Sequence, residues 1–226
     1  SKPAGKARRI GLAAPTGKAA ARLNQSIGKA VEKLTLPDTE QAEAIRAAIP
    51  KSVTTLHRLL GSLPDSRRFR HNARNPLALD VLVIDEASMI DLEMMATVLA
   101  ALPSQARLVL LGDKDQLASV EAGAVLGELC RRADEGHFTP ENADWLGRAT
   151  GEDIPSDLMD PQGHALDQSI VMLRHSYRFG EASGIGQLAR AVNAGDAARV
   201  RDIWEKEYAD IHYLSVTPLD EKALMA

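Results

Sequence analysis

The stretch LDVLVIDEASMID, Leu79–Asp91, constrains the fold more than any other part of the chain. Val81-Leu82-Val83-Ile84 is apolar without alternation. Such a run suits a strand covered on both faces, as in a parallel sheet, rather than a strand with one wet face. Two carboxylates, Asp85 and Glu86, follow at once. Unpaired charge is expensive to bury, so they belong at the strand's end and not in its core. In a parallel sheet that end is the ligand edge.

The same pattern recurs. Ile10–Ala14 reads as a short buried strand, broken by Pro15-Thr16-Gly17 and followed by a helix to about Leu34. Residues 35–52 are punctuated by Pro and charge, with a short helix near Glu40–Ala48. Thr54–Gly61 reads as a helical turn and Leu63–Pro76 as a polar, basic loop. Strand Leu79–Ile84, helix Asp91–Leu102, strand Arg107–Leu111 and helix Val120–Arg131 follow. This alternation predicts an α/β fold with a parallel sheet. Residues 133–168, rich in Gly, Asp and Pro, read as an irregular insertion. Ser169–Phe179 then restores a strand, and helices near Gly184–Asn193 and Ala197–Glu205 open a second domain.

Strand ends carrying Thr16-Gly17-Lys18, Asp85-Glu86 and Gly112-Asp113 are expected to converge on one edge. An Asp after a hydrophobic strand is a usual holder of the magnesium that accompanies a nucleoside triphosphate, and a following Glu can activate water. The bland alternative makes Asp85 and Glu86 a cap for the next helix. Ser88–Asp91 already resembles such a cap. In the GDKDQ segment, Gln116 is placed to reach a terminal phosphate or the attacking water, and Asp113 and Asp115 to hold the loop. Taken alone, the segment is equally a plain turn. Tyr177 is a candidate to stack on a base and Arg178 a candidate arginine finger, although Tyr-Arg pairs also pack on surfaces.

The formal net charge of −4 gives no support for nucleic-acid binding, so that reading rests on local patches. On the helix after Gly17, Lys18, Arg22, Lys29 and Lys33 share a face, and Leu23, Ile27, Val31 and Leu34 form a stripe opposite. The basic face suits a phosphate backbone. Arg67–Arg74 is a second basic cluster, with one aromatic. His57 reads as a structural histidine, because nothing pairs it with a nucleophile and the histidines have no metal spacing. The lone Cys130 excludes an intramolecular disulfide and a multi-cysteine metal site, and fits a reducing compartment. No signal peptide stands out, nor an apolar run of about 18 residues, so a cytoplasmic chain without membrane contact is expected. The leading SKPAGKARR reads as an interior cut or tag scar.

Together these segments resemble the ATP-dependent DNA helicases of superfamily 1, in the branch of the alpha-chain (RecD) subunits of exodeoxyribonuclease V. LAAPTGKAAARL is similar to the family's DNA-contacting motif Ia, VLVIDEASMID to motif II, and LVLLGDKDQLASVEAGAVLGEL to motif III. SYRFG with SGIGQLA is similar to motif IV and its sequel. The resemblance covers about Arg8 to Trp204. It implies a RecA-like parallel sheet flanked by helices, an incomplete P-loop NTPase-type motor domain. Residues 1–168 would be part of the first motor domain, and residues 169–226 the junction and start of a second.

By resemblance, Asp85 holds Mg2+, Glu86 activates water and Gln116 senses the γ-phosphate of ATP. Arg178 contacts that phosphate across the interdomain cleft, and Tyr177 lies by the adenine. Pro15, Thr16 and Lys18 touch single-stranded DNA, with Arg22 on the same basic face. Thr55 and His57 match a segment near the DNA path. The implied partners are DNA ends and the other two subunits of exodeoxyribonuclease V, one RecB-like motor-nuclease and one RecC-like non-motor subunit. The implied role is 5′–3′ unwinding in double-strand break repair and recombination.

One departure stands out. The phosphate-binding pattern G-x-x-x-x-G-K-[ST] is absent, because Ala19 follows Gly17-Lys18 and Leu12 takes the place of the earlier Gly. The family's loop is expected upstream of Ser1 and its motifs V and VI beyond Ala226, so the isolated piece is expected to be inactive. Two alternatives stay open. One is a non-catalytic scaffold subunit with a decayed motor fold. The other is another superfamily 1 helicase, such as a relaxase helicase.

Overall fold

The computed structural model describes residues 8–35, 40–114, 125–174, 183–206 and 208–212. The chain divides into two compact units, Ser1–Ile170 and Val171–Ala226.

The first unit is built on a four-stranded parallel sheet. Its strands are β1 (Ile10–Ala14), β2 (Thr54–Thr55), β3 (Val81–Ile84) and β4 (Arg107–Leu110), in the order β2-β1-β3-β4. Ile10 stands opposite Val81 and Ala13 opposite Ile84; Val81 stands opposite Arg107 and Ile84 opposite Leu110. Helices α1 (Gly17–Lys33), α3 (Leu56–Leu60) and α4 (Leu92–Ala101) cover it, and α2 (Glu40–Ala48) lies between α1 and β2 in sequence.

Alternation along each strand divides the core in two. Ala13, Leu82 and Ile84 cluster with Leu56 and Leu60 of α3 and with Met95, Val98 and Ala101 of α4. Ala14 clusters instead with Ala20 and Val53, joined by Leu12, Leu23 and Ile27, so α1 packs through the stripe read from its sequence. Leu82, Ile84, Leu56, Leu60 and Val98 are fully buried. Each such side chain contributes about 1.5–3 kcal/mol relative to an exposed one. On β4, by contrast, Val109 and the following Leu111 stay 40% and 47% exposed.

Several sequence expectations need correction. Thr54–Thr55 is a strand, not part of a helical turn: Ala13 and Ala14 pair with it. Asn24 fixes the approach to it, accepting the Val53 N–H at 2.7 Å. Leu63–Pro76 is a loop, as expected, but a tied one. Gly61 closes α3 in the left-handed conformation (φ 72°), and isolated antiparallel bridges join Ser62 to Phe69 and Asn72 to Asn75. The helix expected over Val120–Arg131 is α5, Val125–Leu129, within the described residues.

Residues 133–168 are not irregular. They hold α6 (Pro140–Thr150), with Thr139 as N-cap, proline at the first helical position and Gly151 left-handed after the end. Gln168 ties this helix to the chain before it: its side-chain oxygen accepts the Thr139 N–H and its amide donates to the His137 carbonyl, both at 2.9 Å. Arg132 bridges to the buried Asp167 at 2.7 Å. His137, at φ 59°, sits between Asp160 and Glu135, with each ring nitrogen 2.9 Å from a carboxylate oxygen.

No strand forms over residues 169–174, because Asp167–Ser169 is a 3-10 turn and no extended partner pairs with this segment among the described residues. Residues 175–179 of that expected strand lie outside the described residues. The second unit pairs α7 (Gly184–Asn193) with α8 (Ala197–Glu205). Asp210 closes the start of α7, accepting from the Ser183 hydroxyl at 2.6 Å and the Gly184 N–H at 2.8 Å. The Ser183 hydrogen bond, with help from the Gly184 and Ile185 amides, holds its carboxyl below the usual carboxylate range.

Candidate nucleotide and nucleic-acid site

The carboxyl ends of β1, β3 and β4 lie side by side, tied through the backbone. Asp85 donates its N–H to the Ala13 carbonyl at 3.0 Å, and Ala87 donates to the Leu111 carbonyl at 2.8 Å. The polar residues after each strand therefore share one edge, the ligand edge of a parallel sheet.

Asp85 and Glu86 are half-buried there. Glu86 has φ 55° and ψ 38°, a left-handed conformation that a residue with a Cβ adopts at a cost. Strain of this kind persists where surrounding structure enforces it, and it clusters at functional sites. Asp85 Oδ1 accepts the Glu86 N–H at 3.0 Å, which orients the Asp85 carboxylate. The capping alternative fails for this pair. Glu86 precedes a 3-10 turn, Ala87–Met89, but makes no side-chain cap bond. The cap of α4 is Asp91, accepting the Met94 N–H at 2.6 Å.

Gly112, on the neighbouring strand end, lies against this turn. A Cβ built there would stand 3.1 Å from the backbone nitrogens of both Ala87 and Ser88, and 2.8 Å from Leu126 Cδ2. Sequence reasoning passed over this glycine's role and the burial of Ser88, whose hydroxyl has no hydrogen-bond partner among the described residues. Gln116, and with it Asp115, lies outside the described residues, as do Tyr177 and Arg178.

At the end of β1, Thr16 caps α1, its hydroxyl accepting the Ala19 N–H at 3.2 Å. Lys18 and Arg22 are exposed and border a shallow concavity with Asn24 and Gln25. Lys29 and Lys33 are exposed too, on the distal half of the same helix. Pro15, Thr16 and His57 are brought together as walls of a small cleft of about 150 Å³, with Met89, Ile90 and Asp91. Thr55 is close in sequence but differently employed: its hydroxyl caps α3 by accepting the Arg58 N–H at 3.3 Å.

The donor set suits a magnesium–triphosphate complex. Mg2+ prefers few protein carboxylates and completes its shell with phosphate oxygens and water. Asp85 supplies a carboxylate at the ligand edge, and among the described residues no group of His, Cys, Asp and Glu forms an all-protein metal cage. Among those residues, too, no helix is long and apolar enough to cross a membrane.

The sequence has relatives among known proteins. The sequence matches the family described as an AAA domain over residues 2–122. It is 42% identical to the RecBCD enzyme subunit RecD of Haemophilus influenzae over 212 residues, covering 92% of this chain and 32% of that protein. It is 44% identical to the RecD subunit of Mycolicibacterium smegmatis over 190 residues, 84% of this chain and 27% of that one. Over 124 residues it is 40% identical to the ATP-dependent RecD2 DNA helicase of Deinococcus radiodurans, covering 55% of this chain and 14% of the helicase. The chain thus spans about a third or less of the length of these relatives.

Proposed function

The chain belongs to the AAA-domain family, and from that premise we propose that it is part of an ATP-dependent 5′–3′ DNA helicase subunit of the exodeoxyribonuclease V type. Its partners would be DNA ends and RecB-like and RecC-like subunits, and its role break repair and recombination in the cytoplasm. The names of the RecD relatives support this reading. The observation that carries it is the shared strand edge, with Asp85 and Glu86 set beside the Thr16 and Gly112 ends. We read residues 1–168 as part of a first motor domain and 169–226 as the beginning of a second.

In this mechanism the chain's own residues orient, bind and accept a proton. Mg2+, when bound with ATP, neutralises charge on the phosphates. Asp85 would hold it with the carboxylate that the Glu86 amide orients. Glu86 would take the proton of the attacking water. Gln116 and Arg178 would contact the terminal phosphate, Tyr177 the adenine. Pro15, Thr16, Lys18 and Arg22, with Thr55 and His57 nearby, would face the single strand. The half of the phosphate site that G-x-x-x-x-G-K-[ST] supplies is not in this sequence.

The test is Glu86→Gln in the full-length protein. The amide keeps the shape and loses the base, so DNA-stimulated turnover should fall at least about 100-fold while nucleotide affinity changes little. Equal loss of binding and turnover would point to a structural role for Glu86 and against this assignment.

A further inference from the structure

Residues 133–168 carry nine Asp and Glu against one Arg, a formal charge of −8 in a chain whose total is −4. The rest of the chain is therefore net positive, and the negative charge is concentrated in the segment that holds α6. Part of it is neutralised locally: His137 lies between Glu135 and Asp160, Arg132 reaches Asp167, and Arg148 pairs with Asp144. Glu141, Glu152, Asp153 and Asp157 are exposed, and among the described residues no basic side chain pairs with them.

The same segment opens a groove of about 560 Å³ along α6, and its surface is mostly apolar. Ala143 and Gly147 of the helix line it with Ile154 and Met159, and the exposed Asp153 stands among them. The groove is preformed. Phe138 donates its N–H to the Leu158 carbonyl at 2.9 Å and Asp160 donates to the Phe138 carbonyl at 2.8 Å, so the backbone on both sides of Met159 is held. The Met159 side chain, 40% exposed, offers an adaptable apolar wall. At Gly147 the helix presents no side chain. A Cβ there would meet Asp153 Oδ1 at 3.5 Å and the Glu152 carbonyl oxygen at 3.7 Å, both ordinary contacts. A negative field of this kind repels a phosphodiester backbone and attracts a basic protein surface. An apolar groove beside it takes the buried anchor that such a surface needs to bind specifically.

We propose that the α6 groove is the docking site of a basic polypeptide segment. That segment sets one apolar side chain of about leucine size between Gly147 and Met159, and lays Lys or Arg against Glu152 and Asp153. The inference goes beyond the helicase reading and uses none of its residues. It gives the chain a protein-binding surface whose charge is opposite to that of the basic face of α1.

The test titrates the full-length protein with a short fluorescein-labelled Lys/Arg peptide carrying one central Leu, read by anisotropy, with thermal melting of each variant. Two comparison peptides replace the Leu by Ser, or every basic residue by Glu. Gly147→Leu fills the groove, and leucine is favoured over glycine inside a helix, so melting should hold or rise. It should weaken the basic peptide about tenfold, and the Ser peptide should bind wild type about as weakly. Glu152→Gln/Asp153→Asn leaves the groove open; it should weaken binding and lessen its salt dependence. The Glu peptide should not bind measurably. Peptide binding that neither variant changes, or equal binding of the Glu peptide, would overturn the proposal. Oligo-dT binding weakened by Gly147→Leu would give the groove to nucleic acid and overturn it too. Self-association abolished by Gly147→Leu in sedimentation would give it to a second copy, with the same consequence.

Discussion

Asp85 accepts the N–H of the residue that follows it: its Oδ1 lies 3.0 Å from the Glu86 nitrogen, and Glu86 is left-handed at φ 55°. The backbone thus orients the Asp85 carboxylate while Glu86 itself is held in the left-handed region. This conformation costs a residue with a Cβ about 1–2 kcal/mol, and glycine almost nothing.

Glu86→Gly should accordingly stabilise the folded protein, by up to about 1 kcal/mol once glycine's greater freedom in the unfolded chain is counted. Hydrolysis by the full-length protein should be lost. Urea unfolding midpoints beside turnover rates would check this. A destabilised Glu86→Gly protein would mean that the side chain, not the backbone, settles the local structure.

At Gly112 the expectation runs the other way. A methyl group there presses on the amides of Ala87 and Ser88 and on Leu126. Gly112→Ala should cost about 1–3 kcal/mol by overpacking and should lower hydrolysis by moving the turn that carries Glu86. Unchanged melting and turnover would show that β4 and the turn can separate freely.

How much of this was legible in the sequence follows from the size of each signal. Strands β1, β3 and β4 announced themselves as apolar runs, α1 by its apolar stripe and α4 by the cap-like Ser88–Asp91 before it. β2 did not, because Thr54-Thr55 is too short and too polar to make a run; its place is set by pairing with Ala13 and Ala14. α6 was hidden in a Gly-, Asp- and Pro-rich stretch. Its caps were nonetheless readable: Thr139-Pro140 at one end, Gly151 at the other. At the site, carboxylates after an apolar strand located Asp85 and Glu86 on the edge. The left-handed turn of Glu86 had no sequence signal, since Gly or Asn is the residue that normally marks it.

The basic face of α1 should not act as a unit. Lys33 lies about 22 Å from Lys18 along the helix axis. Lys18→Ala in the full-length protein should weaken single-strand binding and lower the salt slope by about one unit. Lys33→Ala should leave both nearly unchanged. Titrations over a salt series separate them, and the reverse result would mean that α1 presents its other end to the strand.

Acid should loosen the segment around α6. The Gln162 N–H and the His137 ring hold the Asp160 carboxyl below its ordinary value. A depressed carboxylate contributes stability that is present above its unfolded-state value and lost as pH falls through the folded one. Hydrogen exchange near His137 and Phe138 should therefore accelerate below about pH 4, and Asp160→Asn should remove that dependence. Exchange that stays flat across this range in the unmodified protein would dismiss the link.

The order of the sheet also has a kinetic meaning. β3 and β4 are joined through α4, close along the chain, whereas β1 reaches β3 only across the long segment that separates Arg9 from Asp80, 71 positions apart. Closing the longer loop costs more entropy before any pairing compensates it. The β3–α4–β4 unit thus has reason to assemble first, with β1 and α1 docking onto it afterwards. In refolding, the end of the sheet that carries Thr16 and Lys18 would be the last part of the edge to appear. Under mild destabilisation it would be the first to come away, while the Asp85-Glu86 turn still stood.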